Sequence, residues 1–139
     1  MMQIHVFNAH PKWTIRVKEI IQLARRVFRG QGKHDVECNI IFINDHRMIK
    51  LNSTYFDHRY ATDVLSFPFD ELSGGVISGE VYVDLDQARR QAKEYHVTIK
   101  NEVSRLVVHG ILHLTGHADT TQRGKRFMTK LENEYLPKT

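Results

Sequence analysis

The sequence predicts a single domain in which four β-strands and five α-helices share one hydrophobic core. Its 139 residues suffice for one core and are too few for two domains of ordinary size. Some segments alternate apolar and polar residues, as strands do, whereas others repeat apolar residues at helical spacing. Glycine, proline and asparagine separate these segments. We therefore expect one domain covering residues 1–139, with the most apolar helix at its centre.

Four segments have the composition of β-strands. Residues 3–8 alternate in polarity, and residues 36–43 form an apolar, β-branched run between polar turn residues. Residues 62–69 and 76–84 supply two more strands, separated by a glycine turn. Because Pro68 cannot donate a hydrogen bond to a neighbouring strand, we expect its strand at an edge of the sheet.

Helical spacing of apolar residues predicts five helices, over about residues 13–30, 45–53, 85–95, 98–114 and 121–135. The fourth helix has a broad apolar stripe, so we expect it to be central and mostly buried. The last helix is amphipathic, and its apolar face carries Phe127, Met128, Leu131 and Tyr135.

The charge of the chain is mildly basic, with a formal net charge of +4 and a pI of about 9.3. The basic residues cluster near both ends of the chain: Lys12, Arg16, Lys18, Arg25, Arg26, Arg29 and Lys33, then Arg123, Lys125 and Arg126. Such clusters are typical of proteins that bind polyanions, but also of solvated helix faces. Charge alone leaves both interpretations open.

The cysteine content and the hydropathy pattern exclude several classes of protein. Cys38 is the only cysteine, which excludes an internal disulfide and a cysteine-based zinc site. The sequence shows neither a secretory segment nor an apolar run of about 18 residues. We therefore expect a soluble, cytoplasmic protein that does not insert into a membrane.

The segment from His109 to Asp119 indicates a metal site. His109 and His113 lie four residues apart on a predicted helix, so both rings project from one face. His117 would lie about 12 Å from His109 along a continued helix, too far to share an ion. Gly116 permits a turn at this point, because glycine readily adopts the left-handed conformation that ends helices. Beyond the turn, His117 and Asp119 are the two candidates for a third ligand.

Three protein ligands with an open position are the arrangement of catalytic metal sites, which activate water for hydrolysis. Gly110 occupies the position of the general-base glutamate in the metalloprotease motif H-E-x-x-H, so such a protease is not expected. Glu102 lies two turns before His109 on roughly the same face. It is a candidate to orient a ligand or to act as a base, or else it is an exposed helix glutamate.

Three motifs together resemble a known family. They are His-Gly-x-Leu-His-Leu-x-Gly over residues 109–116, Thr-Asp-Val-Leu-Ser-Phe-Pro over residues 62–68 and Gly-Glu-Val over residues 79–81. Their order and spacing are similar to those of the YbeY-type endoribonucleases, which take part in ribosomal RNA maturation. The resemblance implies an α+β domain with a small mixed sheet flanked by helices. It also implies a zinc ion held by three side chains, hydrolysis of single-stranded RNA and an association with the ribosome.

The chain departs from this family at two positions. The family usually has a histidine as third ligand at the place of Asp119, so the resemblance assigns the ligand role to Asp119, with His117 as the alternative. A set of two histidines and one aspartate also suits manganese or iron(II). The family commonly places an arginine where this chain has Phe56. Arg59, three residues later, is the candidate to clamp a phosphate in its place.

The predicted function is therefore a metal-dependent, single-strand-specific endoribonuclease with His109, His113 and Asp119 as metal ligands and Glu102 and Arg59 in catalytic roles. One alternative is a ribosome- or RNA-binding assembly factor whose metal is structural. A fourth protein ligand such as His117 would favour that alternative. Another is a non-haem iron oxygenase, which has the same ligand types.

Overall fold

A four-stranded mixed sheet forms one layer of the molecule. The computed structural model describes residues 1–56, 62–69 and 76–137. Its strands are β1 (Met2–Asn8), β2 (Val36–Ile43), β3 (Val64–Pro68) and β4 (Ile77–Asp84). Their order in the sheet is β1-β2-β4-β3. β1, β2 and β4 run parallel, and β3 pairs antiparallel with β4. Because β3 is last in the strand order, it forms an edge of the described sheet, as Pro68 predicts.

Five helices complete the described part of the chain, and the predicted α+β class is confirmed. They are α1 (Val17–Gly30), α2 (Asp45–Phe56), α3 (Leu85–Glu94), α4 (Ile99–Leu114) and α5 (Gln122–Tyr135). Within the described ranges, no helix has both the length and the apolar character needed to cross a lipid bilayer.

The first helix begins four residues later than the expected start at Trp13. The Trp13 ring packs against the guanidinium group of Arg89, whose Cζ lies 3.5 Å from the ring centroid. Arg16, at the N-terminal cap of α1, is in an extended conformation. The apolar residues before α1 therefore pack from extended chain, which periodicity alone cannot distinguish from a helical turn.

α4 is the central helix, as its apolar stripe predicts. It contacts α1, α3 and α5 as well as β3 and β4. Leu106, Val107 and Ile111 are fully buried in the core. Gly110 permits a close approach to the sheet, because a Cβ atom there would lie 2.5 Å from Cγ1 of Val81. The histidine motif is therefore carried by the most firmly packed helix of the described structure.

The inward face of α5 differs from the expected one at two residues. Met128 is buried as expected, but Phe127 is 51% exposed. Glu132, one turn after Met128, is buried with only 4% of its surface accessible. The expectation that Phe127 contributes to the core is therefore wrong, and a carboxylate lies on the buried face of this helix.

Candidate metal centre

The end of α4 brings the predicted metal ligands together. His109 and His113 project from the last two turns of this helix, which ends at Leu114. Gly116 then adopts a positive φ of 102°, and its backbone N–H donates to the carbonyl of His113. This conformation is accessible to glycine at little steric cost. The turn directs the following residues back toward the helix, so that Asp119 faces both histidines.

Three side-chain atoms form a triangle that fits one metal ion. Nε2 of His109 and Nε2 of His113 lie 3.0 Å apart. Oδ2 of Asp119 lies 3.5 Å from the first nitrogen and 3.6 Å from the second. Ligand atoms that each lie about 2 Å from a shared ion are separated by about 3 to 4 Å. Two imidazoles and one carboxylate also form a donor set suited to zinc and to other divalent metals.

His117, the other candidate for a third ligand, has a different partner. Its Nε2 lies 2.6 Å from Oε1 of Gln31, and its ring lies 5.8 Å from that of Phe127. The metal-ligand group identified around His109 in the described residues contains Asp119 and not His117. The structure therefore brings Asp119, rather than His117, to the helical pair.

A buried carboxylate lies behind the first histidine. Oε2 of Glu132 lies 2.7 Å from Nδ1 of His109, while Oε1 accepts a hydrogen bond from Arg105 at 3.3 Å. This contact orients the ring so that Nε2 points toward the centre of the triangle. The sequence contained one usable signal for Glu132, since it follows the buried Met128 by four residues. That signal was missed because a glutamate on an amphipathic helix usually faces solvent.

The local environment favours a neutral His113. Burial lowers the pKa of this imidazole, and the neighbouring His109 lowers it further, while Asp119 opposes both effects. A metal-ligating histidine must present an unprotonated ring nitrogen. The surroundings of His113 therefore favour the protonation state that ligation requires.

Glu102 lies in a buried polar network that leads to the same centre. It is only 1% exposed, so the alternative of an exposed glutamate is wrong. Its carboxylate accepts two hydrogen bonds from Arg105, at 2.8 and 2.6 Å, and one from Gln91 at 2.7 Å. Arg105 also donates to Glu132, the partner of His109. Glu102 is thus connected to the metal centre through Arg105 and Glu132.

The candidate metal centre opens into a cleft of about 460 Å³. The cleft is lined by the three candidate ligands together with a segment that includes β3: Thr62, Asp63, Val64, Leu65, Ser66 and Pro68. Oγ of Ser66 donates to the carbonyl of Gly110 at 2.8 Å, which fixes β3 against the ligand helix. The two longest sequence motifs therefore form the two walls of one cleft. Arg59, the predicted phosphate clamp, lies outside the described residues.

Comparison with known proteins connects this geometry to a family. The family model described as "Endoribonuclease YbeY" matches residues 5–139. A protein of that name from Cytophaga hutchinsonii is 31% identical over 134 residues, covering 96% of this chain and 93% of its own. Another, from Aquifex aeolicus, is 38% identical over 130 residues, covering 91% and 86%.

A solved structure supports the fold independently. The solution structure of a Thermotoga maritima protein superimposes with a TM-score of 0.63 at 23% identity, covering 96% of this chain and 86% of the other. The match of the family model extends over nearly the whole sequence, including both motifs that line the cleft. The chain therefore belongs to the YbeY endoribonuclease family.

Proposed function

We propose that the protein is a metal-dependent endoribonuclease that cleaves single-stranded RNA during ribosomal RNA maturation. One observation carries the proposal: two imidazole nitrogens and one carboxylate oxygen converge within 3.0 to 3.6 Å in the lining of an open cleft. In the described residues this group contains three ligands, which suits a site that keeps one position for water or substrate. Membership of the family supports the choice of RNA as substrate.

The ligand set defines what the protein contributes to hydrolysis. His109, His113 and Asp119 would hold one divalent ion, and zinc is our first choice. When bound, such an ion supplies an activated water molecule and stabilises negative charge at the scissile phosphate. Hydrolysis would join the water oxygen to phosphorus, break one P–O bond to ribose and move a proton from the water to the ribose oxygen that leaves.

Glu132 and Glu102 act as positioning residues in this proposal. Glu132 fixes the ring of His109 through its contact with Nδ1. Glu102 holds Arg105 through two hydrogen bonds, and Arg105 in turn holds Glu132. Their burial protects these contacts from competition with water, so the first ligand is already oriented before an ion binds.

We infer that the cleft takes an extended, single-stranded substrate. Its volume of about 460 Å³ is that of a site for a small or extended ligand. β3 forms an edge of the described sheet, and backbone groups on the outer side of this strand would hydrogen-bond an extended substrate. We retain Arg59 as the candidate that clamps a phosphate of the RNA. Action on ribosomal RNA, in contact with the ribosome, would place the protein in the cytoplasm.

A cleavage assay with matched substrates tests this function. Purified protein supplied with zinc or manganese is incubated with single-stranded RNA and with the same sequence in a duplex. We expect cleavage of the single strand, and its loss both on chelation and in His113→Ala. Equal activity in His113→Ala would indicate a contaminating nuclease and contradict the proposal. Binding of RNA and metal without any cleavage would favour the assembly factor with a structural metal.

A further inference from the structure

One face of α5 carries three cations and an aromatic ring in a single stripe. Arg123, Arg126, Phe127 and Lys130 lie at positions i, i+3, i+4 and i+7, which share one side of a helix. All four side chains are exposed, and Phe127 retains 51% of its accessible surface. Together with Thr121 and Gly124 they line a shallow groove. We call these four residues the α5 stripe.

The cations of the stripe have no partners among the residues that the structure describes. In the described residues, Arg123, Arg126 and Lys130 form no side-chain hydrogen bond and no ion pair. Elsewhere, Arg90 pairs with Asp45 and Arg105 pairs with Glu102. The stripe therefore carries uncompensated positive charge that is available to a ligand.

The stripe lies on the helix that supports the metal centre. α5 begins at Gln122, three residues after the candidate ligand Asp119. The ring of Phe127 lies 5.8 Å from the ring of His117, and His117 belongs to the segment between α4 and α5. Glu132, which contacts His109, lies on the opposite, buried side of the same helix. α5 thus supports the metal centre with one face and presents the stripe with the other.

We propose that the α5 stripe binds single-stranded RNA outside the cleft. Arg123, Arg126 and Lys130 contact backbone phosphates, and a base stacks on Phe127. From residue 123 to residue 130 the helix rises by about 10 Å, so the stripe engages a short length of strand. The proposal deepens the proposed function, because the bound strand would be the substrate that continues into the cleft.

The combination of residues favours this occupant. Cations that follow the backbone, together with an aromatic ring that stacks on any base, are the common means of binding single strands without sequence preference. A duplex would offer phosphates but hides the faces of its bases within the stack. An acidic protein surface would account for the cations but not for the exposed ring of Phe127.

The test measures RNA affinity as a function of salt. Fluorescence anisotropy of a labelled single-stranded RNA oligonucleotide measures binding. The parent protein carries His113→Ala, because this replacement prevents cleavage during the measurement. The α5 variant carries Arg123→Ala, Arg126→Ala and Lys130→Ala in addition. Alanine preserves helix propensity, and circular dichroism checks the fold. Each phosphate contact to a single strand contributes a slope of about −0.7 in log K against log salt. The triple replacement should therefore reduce the slope by about 2 units.

The matched control removes three exposed cations from α1: Lys18→Ala, Arg25→Ala and Arg29→Ala. We expect this control to change the slope much less than the α5 replacement. Phe127→Ala should weaken binding about tenfold with an unchanged slope, because stacking does not release counterions. An unchanged slope in the α5 variant, or equal losses in both triple variants, would overturn the assignment. Absence of RNA binding by the parent would overturn it as well.

Failure of this inference can be distinguished from failure of the proposed function. If the protein cleaves single-stranded RNA but the α5 replacement leaves the slope of log K against log salt unchanged, the endonuclease activity is supported and RNA binding by the stripe is wrong. If the α5 replacement reduces the slope of log K against log salt, but the protein with unmutated metal ligands never cleaves RNA, the RNA-binding role of the stripe is supported and the proposed endonuclease activity is wrong. If the triple replacement in α5 weakens binding to an RNA duplex more than binding to the single strand, the choice of a single strand as ligand is contradicted.

Discussion

Replacing Glu132 by glutamine removes the negative charge behind His109 and keeps the size of the side chain. Oε2 of Glu132 lies 2.7 Å from Nδ1 of His109, and the side chain is only 5% exposed. A hydrogen bond to a charged group contributes about 1.5 to 3 kcal/mol, with little screening at a buried site. Loss of such outer partners lowers metal affinity by about 10- to 100-fold. We therefore expect the Kd for zinc to rise by that factor in Glu132→Gln.

The assay is competition for zinc between the protein and a chromogenic chelator, with the folded state verified by circular dichroism. Glu134→Gln is a matched control, because Glu134 is exposed on the same helix and loses the same charge. We expect its Kd to stay near that of the parent. Unchanged affinity in folded Glu132→Gln would refute the orienting role. Equal weakening in both variants would refute it too, since net charge would then explain the effect.

Three further predictions concern packing, charge and ligand type. A Cβ atom at Gly110 would lie 2.5 Å from Cγ1 of Val81, so Gly110→Ala should lower the free energy of unfolding by about 1 to 3 kcal/mol; an unchanged Tm would contradict this. The pKa of Asp84 is raised to about 8, mainly by burial and secondly by the nearby Asp45 carboxylate. The folded state thus resists ionisation of Asp84, and stability falls as pH rises from near its unfolded pKa of 3.8 through about 8. Asp84→Asn cannot ionise and should flatten this decline in denaturant titrations, whereas a parallel decline would contradict the assignment. Asp119→His supplies a third imidazole and should retain metal with a greater preference for zinc over manganese, so an unchanged preference between the two metals would count against Asp119 as a ligand.

The fold was predictable because most of its elements are carried by local pattern. The β-branched run of β2 and the apolar stripe of α4 each indicate their structure without knowledge of the rest of the chain. The start of α1 was not predictable in this way. Trp13 has helical spacing relative to later apolar residues, but its position is determined by packing against Arg89 on a distant helix. Such contacts between elements leave no periodic signal.

The candidate site was predictable only where its residues are close in sequence. His109, His113 and the turn at Gly116 follow from helix geometry within one segment. Glu132 lies 23 residues from His109, and nothing in the sequence pairs the two. The ion pair between Glu102 and Arg105 could be predicted as a helical neighbour pair. The burial of Glu102 could not, because it depends on how α3 and α5 pack around α4.

Titration of metal into chelator-treated protein tests the metal-dependent cleavage most directly. RNA cleavage is measured as zinc or manganese is added in stoichiometric steps to the parent and to Asp119→Ala. We predict that activity returns and reaches a plateau at about one ion per chain, as expected for a single three-ligand site. Asp119→Ala should need far more metal for the same recovery. Full activity in the metal-free parent, or identical titrations for both proteins, would contradict a catalytic ion held by His109, His113 and Asp119.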